Sequence, residues 1–226
     1  MSQIYLIRHG FTPANNANYN GQIGLREIAE DKDMPLEREY GEEQARELGC
    51  FLNTINGKTL ILVSPYYRAC QTLNLALQEM CGDYVIEEWD ELRENNTGIH
   101  YARTKDEILE LYPEASSFYE NIQNNPYTTS FLEGESEYDV RDRVQDISKK
   151  IKDISDSELY QNIFIFAHGI VNSWIYYWLN GEPFSIRQKN CEVILATGEE
   201  KGKSIFLPIA WVPKGYHIKI KEYIKE

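Results

Sequence analysis

The chain alternates short runs of consecutive apolar residues with longer stretches in which apolar positions recur every three or four residues. Ile4 to Ile7, Leu60 to Val63 and Ile163 to Phe166 are apolar runs bounded by polar or small residues. Runs of that kind suit parallel strands buried on both faces. Helical spacing follows over Pro35 to Ile55 (Leu36, Tyr40, Ala45, Leu48, Leu52) and over Pro65 to Met80 (Tyr66, Ala69, Leu73, Ala76, Leu77). Pro65 fits a first helical turn. Glu135 to Ile154 predicts a third helix through Tyr138, Val140, Val144, Ile147 and Ile151. Ile170 to Leu179 predicts a fourth, stopped by Asn180-Gly181 and Pro183. Tyr84 to Glu87 is strand-like, and Val193 to Ala196, Ser204 to Trp211 and Tyr216 to Ile220 alternate apolar and polar residues around turns. The order predicts an α/β fold with a mostly parallel sheet and antiparallel strands near the C-terminus. The polar, Tyr-rich segment around residues 95–130 sits where such folds carry a cap or lid, with Asp106 to Leu111 its clearest helical turn.

With 226 residues and no repeat or long linker, one domain over 1–226 is expected. A chain of that length buries about 70% of its unfolded surface without metals or disulfides. Apolar residues at 42% and charged residues at 26% exclude a disordered chain. The net charge of −13 argues against nucleic-acid and membrane-surface partners. The longest strictly apolar stretches, such as Ile163 to Ala167, fall far short of the roughly 18 residues needed to span a bilayer. MSQIYLIRHG at the N-terminus lacks the pattern of a secretory signal. Cys50, Cys70, Cys81 and Cys191 form no C-x-x-C pair, and two of them, Cys70 and Cys81, fall in one helical stretch. They read as reduced, packed thiols of a cytoplasmic protein.

The chemistry gathers where strands end. Arg8-His9-Gly10 follows the first apolar run, His168-Gly169 follows the third, and Ser64-Pro65-Tyr66-Tyr67-Arg68 follows the second. Ligand sites in open α/β sheets lie at the carboxyl ends of strands. Two of only four histidines, with two arginines, would meet there as an anion site in an otherwise acidic protein. Phosphate fits, because its oxygens match the guanidinium fork. Phosphomonoester cleavage also needs a nucleophile, which histidine supplies, and a proton donor, which a carboxyl group supplies. Trp89-Asp90-Glu91-Leu92-Arg93-Glu94 holds the candidate acids.

These segments are similar in order to the histidine phosphatase superfamily, the phosphoglycerate-mutase-like proteins. Ile-Arg-His-Gly-Phe-Thr at 7–12 with Asn15 resembles its R-H-G-x-T signature. Asp33-Met34-Pro35-Leu36 with Gly41 and Gln44-Ala45 resembles D-x-P-L-T…G…Q-A, with Glu37 in place of the Thr. Ser64 to Thr72 resembles S-P-L-x-R-A-x-Q-T, and Leu92-Arg93-Glu94 resembles the acid motif. Gly134-Glu135-Ser136 with Arg143, and Ala167-His168-Gly169, complete the set over residues 4 to about 197. The resemblance implies a three-layer α/β/α sandwich and a metal-independent phosphomonoesterase needing no cofactor. It makes His9 the nucleophile and Glu94 the acid, with Glu91 as fallback. Arg8, Arg68 and His168 would hold phosphoryl oxygens, and Thr12, Asn15 and Gly169 would line the phosphate pocket. The substrate would be a small phosphate ester. A mutase is the alternative, disfavoured because no Arg-Arg pair occurs; a silent phosphate-binding module ranks below both.

Two segments depart from the family pattern: the long polar stretch Asn16 to Lys32, with Gln22 and Arg26, and Asn95 to Gly98 after the acid, where G-x-W-x-G is usual. His100 reads as either pocket-lining or exposed, the latter favoured. His217 reads as a surface residue on a C-terminal strand. Trp174, Tyr176, Tyr177 and Trp178 read as packing, and the acidic run Glu37 to Glu43 as a solvated helix face. Gly198 to Ser204 superficially resembles a P-loop but has one residue too few between its glycines, so it reads as a hairpin turn.

Overall fold

Alternation along the strands decides which side chains meet which helices. The computed structural model describes residues 1–16, 28–182, 187–210 and 212. Within them, β1 (Gln3–Arg8), β2 (Thr59–Val63), β3 (Tyr84–Glu88), β4 (Asn162–Ala167), β5 (Val193–Leu195) and β6 (Ser204–Phe206) form one sheet in the order β3-β2-β4-β1-β5-β6. The β1–β4, β2–β4 and β2–β3 pairs are parallel, while β5 runs antiparallel to β1 and to β6. The helices are α1 (Pro13–Asn16), α2 (Gly41–Leu52), α3 (Tyr67–Leu77), α4 (Lys105–Leu111), α5 (Ser116–Asn121), α6 (Glu137–Arg143), α7 (Gln145–Asp156) and α8 (Gly169–Asn180). None is long and apolar enough to cross a membrane.

Because successive side chains point to opposite faces, Ile4, Leu6, Leu60, Leu62, Ile163 and Ile165 pack with Val140, Ile147, Ile151, Val171 and Ile175 of α6, α7 and α8 and with Val144 between α6 and α7. Tyr5, Ile7, Ile61, Val63, Phe164 and Phe166 pack on the other face against Ala45, Leu48, Leu52, Ala69, Leu73 and Ala76 of α2 and α3. Helices therefore cover both faces of a mostly parallel sheet, as expected. The Gly198 to Ser204 stretch joins β5 to β6 as a hairpin connection, its two glycines at φ 80 and 82.

Several boundaries differ from expectation. The helix predicted over Pro35 to Ile55 begins at Gly41, because Leu36 N donates to Gln71 Oε1 and Glu37 N to the Phe11 carbonyl. Glu37 is buried, and its carboxylate accepts from Glu39 N and Tyr40 N, so it is no solvated helix face. α3 ends at Leu77 and leaves Cys81 outside it. Of the four free thiols only Cys191 is buried; Cys50 and Cys81 are exposed. The stretch Glu135 to Ile154 splits at Val144 (φ −89, ψ −1), with α6 started by a Ser136–Asp139 capping box. The strand from Ser204 stops at Phe206. Gln22, Arg26, Trp211, His217 and the strand expected over Tyr216 to Ile220 lie outside the described residues.

Two glycines of the motifs have a steric reason. A Cβ on Gly10 would stand 2.8 Å from the Gly41 carbonyl oxygen, and one on Gly41 would stand 2.1 Å from that of Phe11. The loop leaving β1 and the start of α2 are thus in backbone-to-backbone contact, which fixes the chain just after His9.

Candidate active site

Register brings the strand ends level. Arg8 pairs with Ala167, and Val63 with Phe166, so His9, Ser64 and His168 leave the sheet side by side. The His9 and His168 rings lie 5.2 Å apart, both buried. His9 Nδ1 is 2.8 Å from the Gly10 carbonyl oxygen. A carbonyl only accepts, so Nδ1 carries the proton and Nε2 keeps its lone pair. Burial, and then the charges of Arg68 and Arg8, hold this imidazole well below its ordinary pKa, leaving it neutral at pH 7. His168 is held down by burial and by Arg68 in the same way. Its Nε2 lies 2.9 Å from Ser64 Oγ and accepts from that hydroxyl when Nδ1 carries the ring proton; the hydroxyl oxygen itself accepts from Tyr66 N. His168 Nδ1 is buried and has no hydrogen-bond partner among the described residues.

Arg8 Nε is a second buried nitrogen without a partner among the described residues. The same guanidinium is anchored through NH1 to the Gln188 carbonyl at 2.6 Å. Gln188 is itself fixed by bonds from its amide to the Leu6 and Glu192 carbonyls, and it accepts from Asn172. Arg68, in the first turn of α3, donates through NH1 to the carbonyl and carboxylate of Asp31, at 2.6 and 3.0 Å. Gly169 opens α8, whose first backbone N–H groups and dipole favour an anion. A Cβ there would take space 3.8 Å from Arg8 Nε.

Glu94 closes the group. Its Oε2 is 3.7 Å from His168 Nδ1, and its Oε1 accepts from Asn95 N at 2.9 Å. Burial raises its pKa above the usual carboxylate value against the opposing pull of Arg68. Glu91 is exposed, and only its backbone carbonyl is engaged, by Arg143. Arg143 also donates to the Arg93 carbonyl at 3.0 Å and, through Nε and NH2, to both oxygens of Glu135 at 3.0 and 3.2 Å. Glu135 in turn accepts from Asn96 N at 3.0 Å. The Arg143–Glu135 pair thus clamps the turn carrying Glu94. Arg143→Ala is expected to lower stability by about 1–2 kcal/mol, since it leaves the largely buried Glu135 carboxylate only the longer contact to Arg93, at 3.5 Å, and the Asn96 N–H. It should also slow alkyl phosphate esters more than nitrophenyl phosphate. Urea unfolding and kcat on the two ester types check this.

Thr12 and Asn15 hydrogen-bond each other, and Asn190 Nδ2 donates to Asn15 Oδ1, His9 O and Gly10 O. They shape the loop that carries the histidine. His100 neither lines the cavity nor faces solvent freely: its ring packs 4.4 Å from Phe118 and 5.0 Å from Phe131. Gln188, Asn190, Ser64 and Asp31 all position the cluster, yet only Ser64 carried a sequence signal, as the first residue of its motif. A cavity of about 730 Å³ opens from Arg8, Glu94 and Gly169 toward Tyr127, Tyr138, Trp174 and Tyr177. The expected packing role holds for the buried Tyr176 and for Trp174 and Trp178, which pack on the core; Trp174 and Tyr177 also line the cavity.

Ligand atoms of His9, Glu94 and His168 lie within 4.8 Å of one another, a spacing a metal ion could use. Arg8 and Arg68 act on the same groups as positive charges, which disfavours a cation and suits an oxyanion.

Fold and cluster together define an α/β protein with an oxyanion cavity at its strand ends. The family model of the histidine phosphatase superfamily (branch 1) matches residues 4–207, and the chain belongs to that superfamily. It is 27% identical over 216 residues to an Escherichia coli (O1:K1 / APEC) protein described as "Probable phosphoglycerate mutase GpmB", covering 94% of this chain and 91% of that one. The alpha-ribazole phosphatase of Shigella flexneri aligns with a TM-score of 0.67 at 23% identity, over 95% of this chain and 100% of that structure. A mycobacterial glucosyl-3-phosphoglycerate phosphatase in complex with inorganic phosphate aligns with a TM-score of 0.61 at 20% identity, over 86% and 89%. At these identities the likeness to the solved structures is one of fold.

Proposed function

We propose that the protein hydrolyses a small phosphomonoester through a phosphohistidine at His9. The observation that carries this reading is the pairing of a neutral imidazole, its Nε2 lone pair free, with two buried, unpartnered nitrogens, Arg8 Nε and His168 Nδ1. His9 Nε2 attacks phosphorus and the P–O ester bond breaks. Glu94, its pKa raised, gives its proton to the leaving oxygen. Glu94 then takes a proton from water as the water oxygen attacks phosphorus; the P–N bond breaks and returns the electron pair to His9. Arg8, Arg68, His168 and the N-terminus of α8, opened by Gly169, stabilise charge on the non-bridging oxygens. The segment around residues 95–130 acts as a cap, giving Tyr127 to the cavity wall. Four free thiols accord with a reducing compartment, and we place the enzyme in the cytoplasm.

The test is phosphate release from a panel of phosphomonoesters in chelator, with 3-phosphoglycerate included and 2-phosphoglycerate formation followed in parallel. The expected result is release of phosphate without isomerisation. Isomerisation with little release would make the protein a mutase.

A further inference from the structure

The cavity is larger than a three-carbon substrate needs. At about 30 Å³ per water, 730 Å³ corresponds to roughly two dozen water-sized groups. A glycerate monophosphate has about eleven non-hydrogen atoms, so a cavity of this size leaves room beside the phosphate for a larger leaving group.

Its lining changes character along its length. Gly169, Ile170, Ser173, Trp174 and Tyr177 share one face of α8. At 1.5 Å per residue, Trp174 lies about 7–8 Å and Tyr177 about 12 Å along the axis from the anion-binding end. Opposite them, the Tyr127 and Tyr138 rings stack at 5.9 Å with 18° between planes, and Tyr138 meets Trp174 edge-on at 5.9 Å. Arg141 lays its guanidinium 3.9 Å over the Tyr138 ring and spends its Nε on Asp142, so it adds a flat face to this wall. Glu137 also lines the cavity and opposes an acidic leaving group. Tyr127 is 51% exposed, which a packing role alone does not explain.

We infer that the leaving alcohol carries a planar ring, which stacks on the exposed Tyr127 and packs against Trp174, with Tyr138 backing that wall, while the phosphate sits at Arg8 and Gly169. The substrate class is a phosphomonoester with an aromatic or heteroaromatic ring joined through a short spacer. This rests on the phosphoester reading of the site. Stacking binds a planar ring more strongly than it binds a glycerate.

The experiment compares kcat/KM within two matched pairs: ribose 5-phosphate against a nucleoside 5′-monophosphate, and propyl phosphate against 3-phenylpropyl phosphate. Each pair shares its reacting alcohol and differs by the ring. The ring-bearing member is expected to be faster by about tenfold or more. A gain in both pairs assigns the wall to any aryl ring, and a gain only with the nucleotide assigns it to nucleosides. Tyr127→Ala should shrink the ratio severalfold; its exposure makes loss of folding a small concern, and Tyr138→Leu gives an independent check. Equal kcat/KM within both pairs overturns the inference and leaves the phosphatase reading standing. A ratio untouched by both variants overturns the assignment to this wall. No hydrolysis of any ester, with no phosphohistidine formed, overturns both.

Discussion

His9→Ala is expected to lower kcat by about 10⁴-fold or more, with no acid-labile phosphoenzyme left to trap. The size follows from position: the ring stands beside Arg8, Arg68 and His168 with Nδ1 locked by the Gly10 carbonyl, which leaves Nε2 as the attacking atom. What remains without it is an anion site that binds phosphate but has nothing to attack with. Because His9 is buried, the substitution also empties volume, so the variant must be shown to be folded by circular dichroism. His9→Asn, whose amide retains a donor for Gly10, is a second form of the test. Wild-type turnover in either folded variant refutes the phosphohistidine route.

Glu94→Gln should follow in size, with a loss of about 10²–10³-fold on alkyl esters and a much smaller one on nitrophenyl phosphate, whose leaving group needs little protonation. The pH profile carries the sharper signal. Glu94 has to be protonated when the ester bond breaks, so kcat/KM falls as pH rises through its pKa. Burial moves that fall above the ordinary carboxylate range. In Glu94→Gln the fall should disappear. An equal loss on both ester types would transfer the acid role to another group.

The sheet and the histidines were legible because their signals are local. Leu60 to Val63 and Ile163 to Phe166 could hardly be anything but buried strands, and a polar residue just past such a strand sits at its carboxyl end whatever the rest of the chain does. Arg68 was legible through the helical spacing that follows it, although Pro65, expected in the first turn, lies before the N-cap Tyr66. The break at Val144 was not, because both halves, α6 and α7, keep their apolar side on one core cluster and the period reads through the gap. Glu37 was misjudged because a carboxylate satisfied by two backbone N–H groups looks, in sequence, like any solvated acid. Gln188 and Asn190 were silent for a different reason. They act from a loop some 180 positions after His9, through amide bonds that leave no period and no composition bias. Trp174 and Tyr177 fit a packing pattern equally well, since a helix face that lines a cavity and one that lines a core share the same spacing.

The two buried imidazoles tie the chemistry to the durability of the fold. Both titrate lower in the folded chain than in the unfolded one. Below about pH 6.5 the unfolded chain therefore binds protons that the native site refuses, and each such group can withdraw up to about 1.4 kcal/mol of stability per unit of falling pH until its own depressed pKa is reached. Acidification thus draws on the stability of the native state through the same rings that carry the chemistry. Glu94, raised by burial, returns part of that stability, so the native state's acid limit reflects the balance of the three groups that do the chemistry.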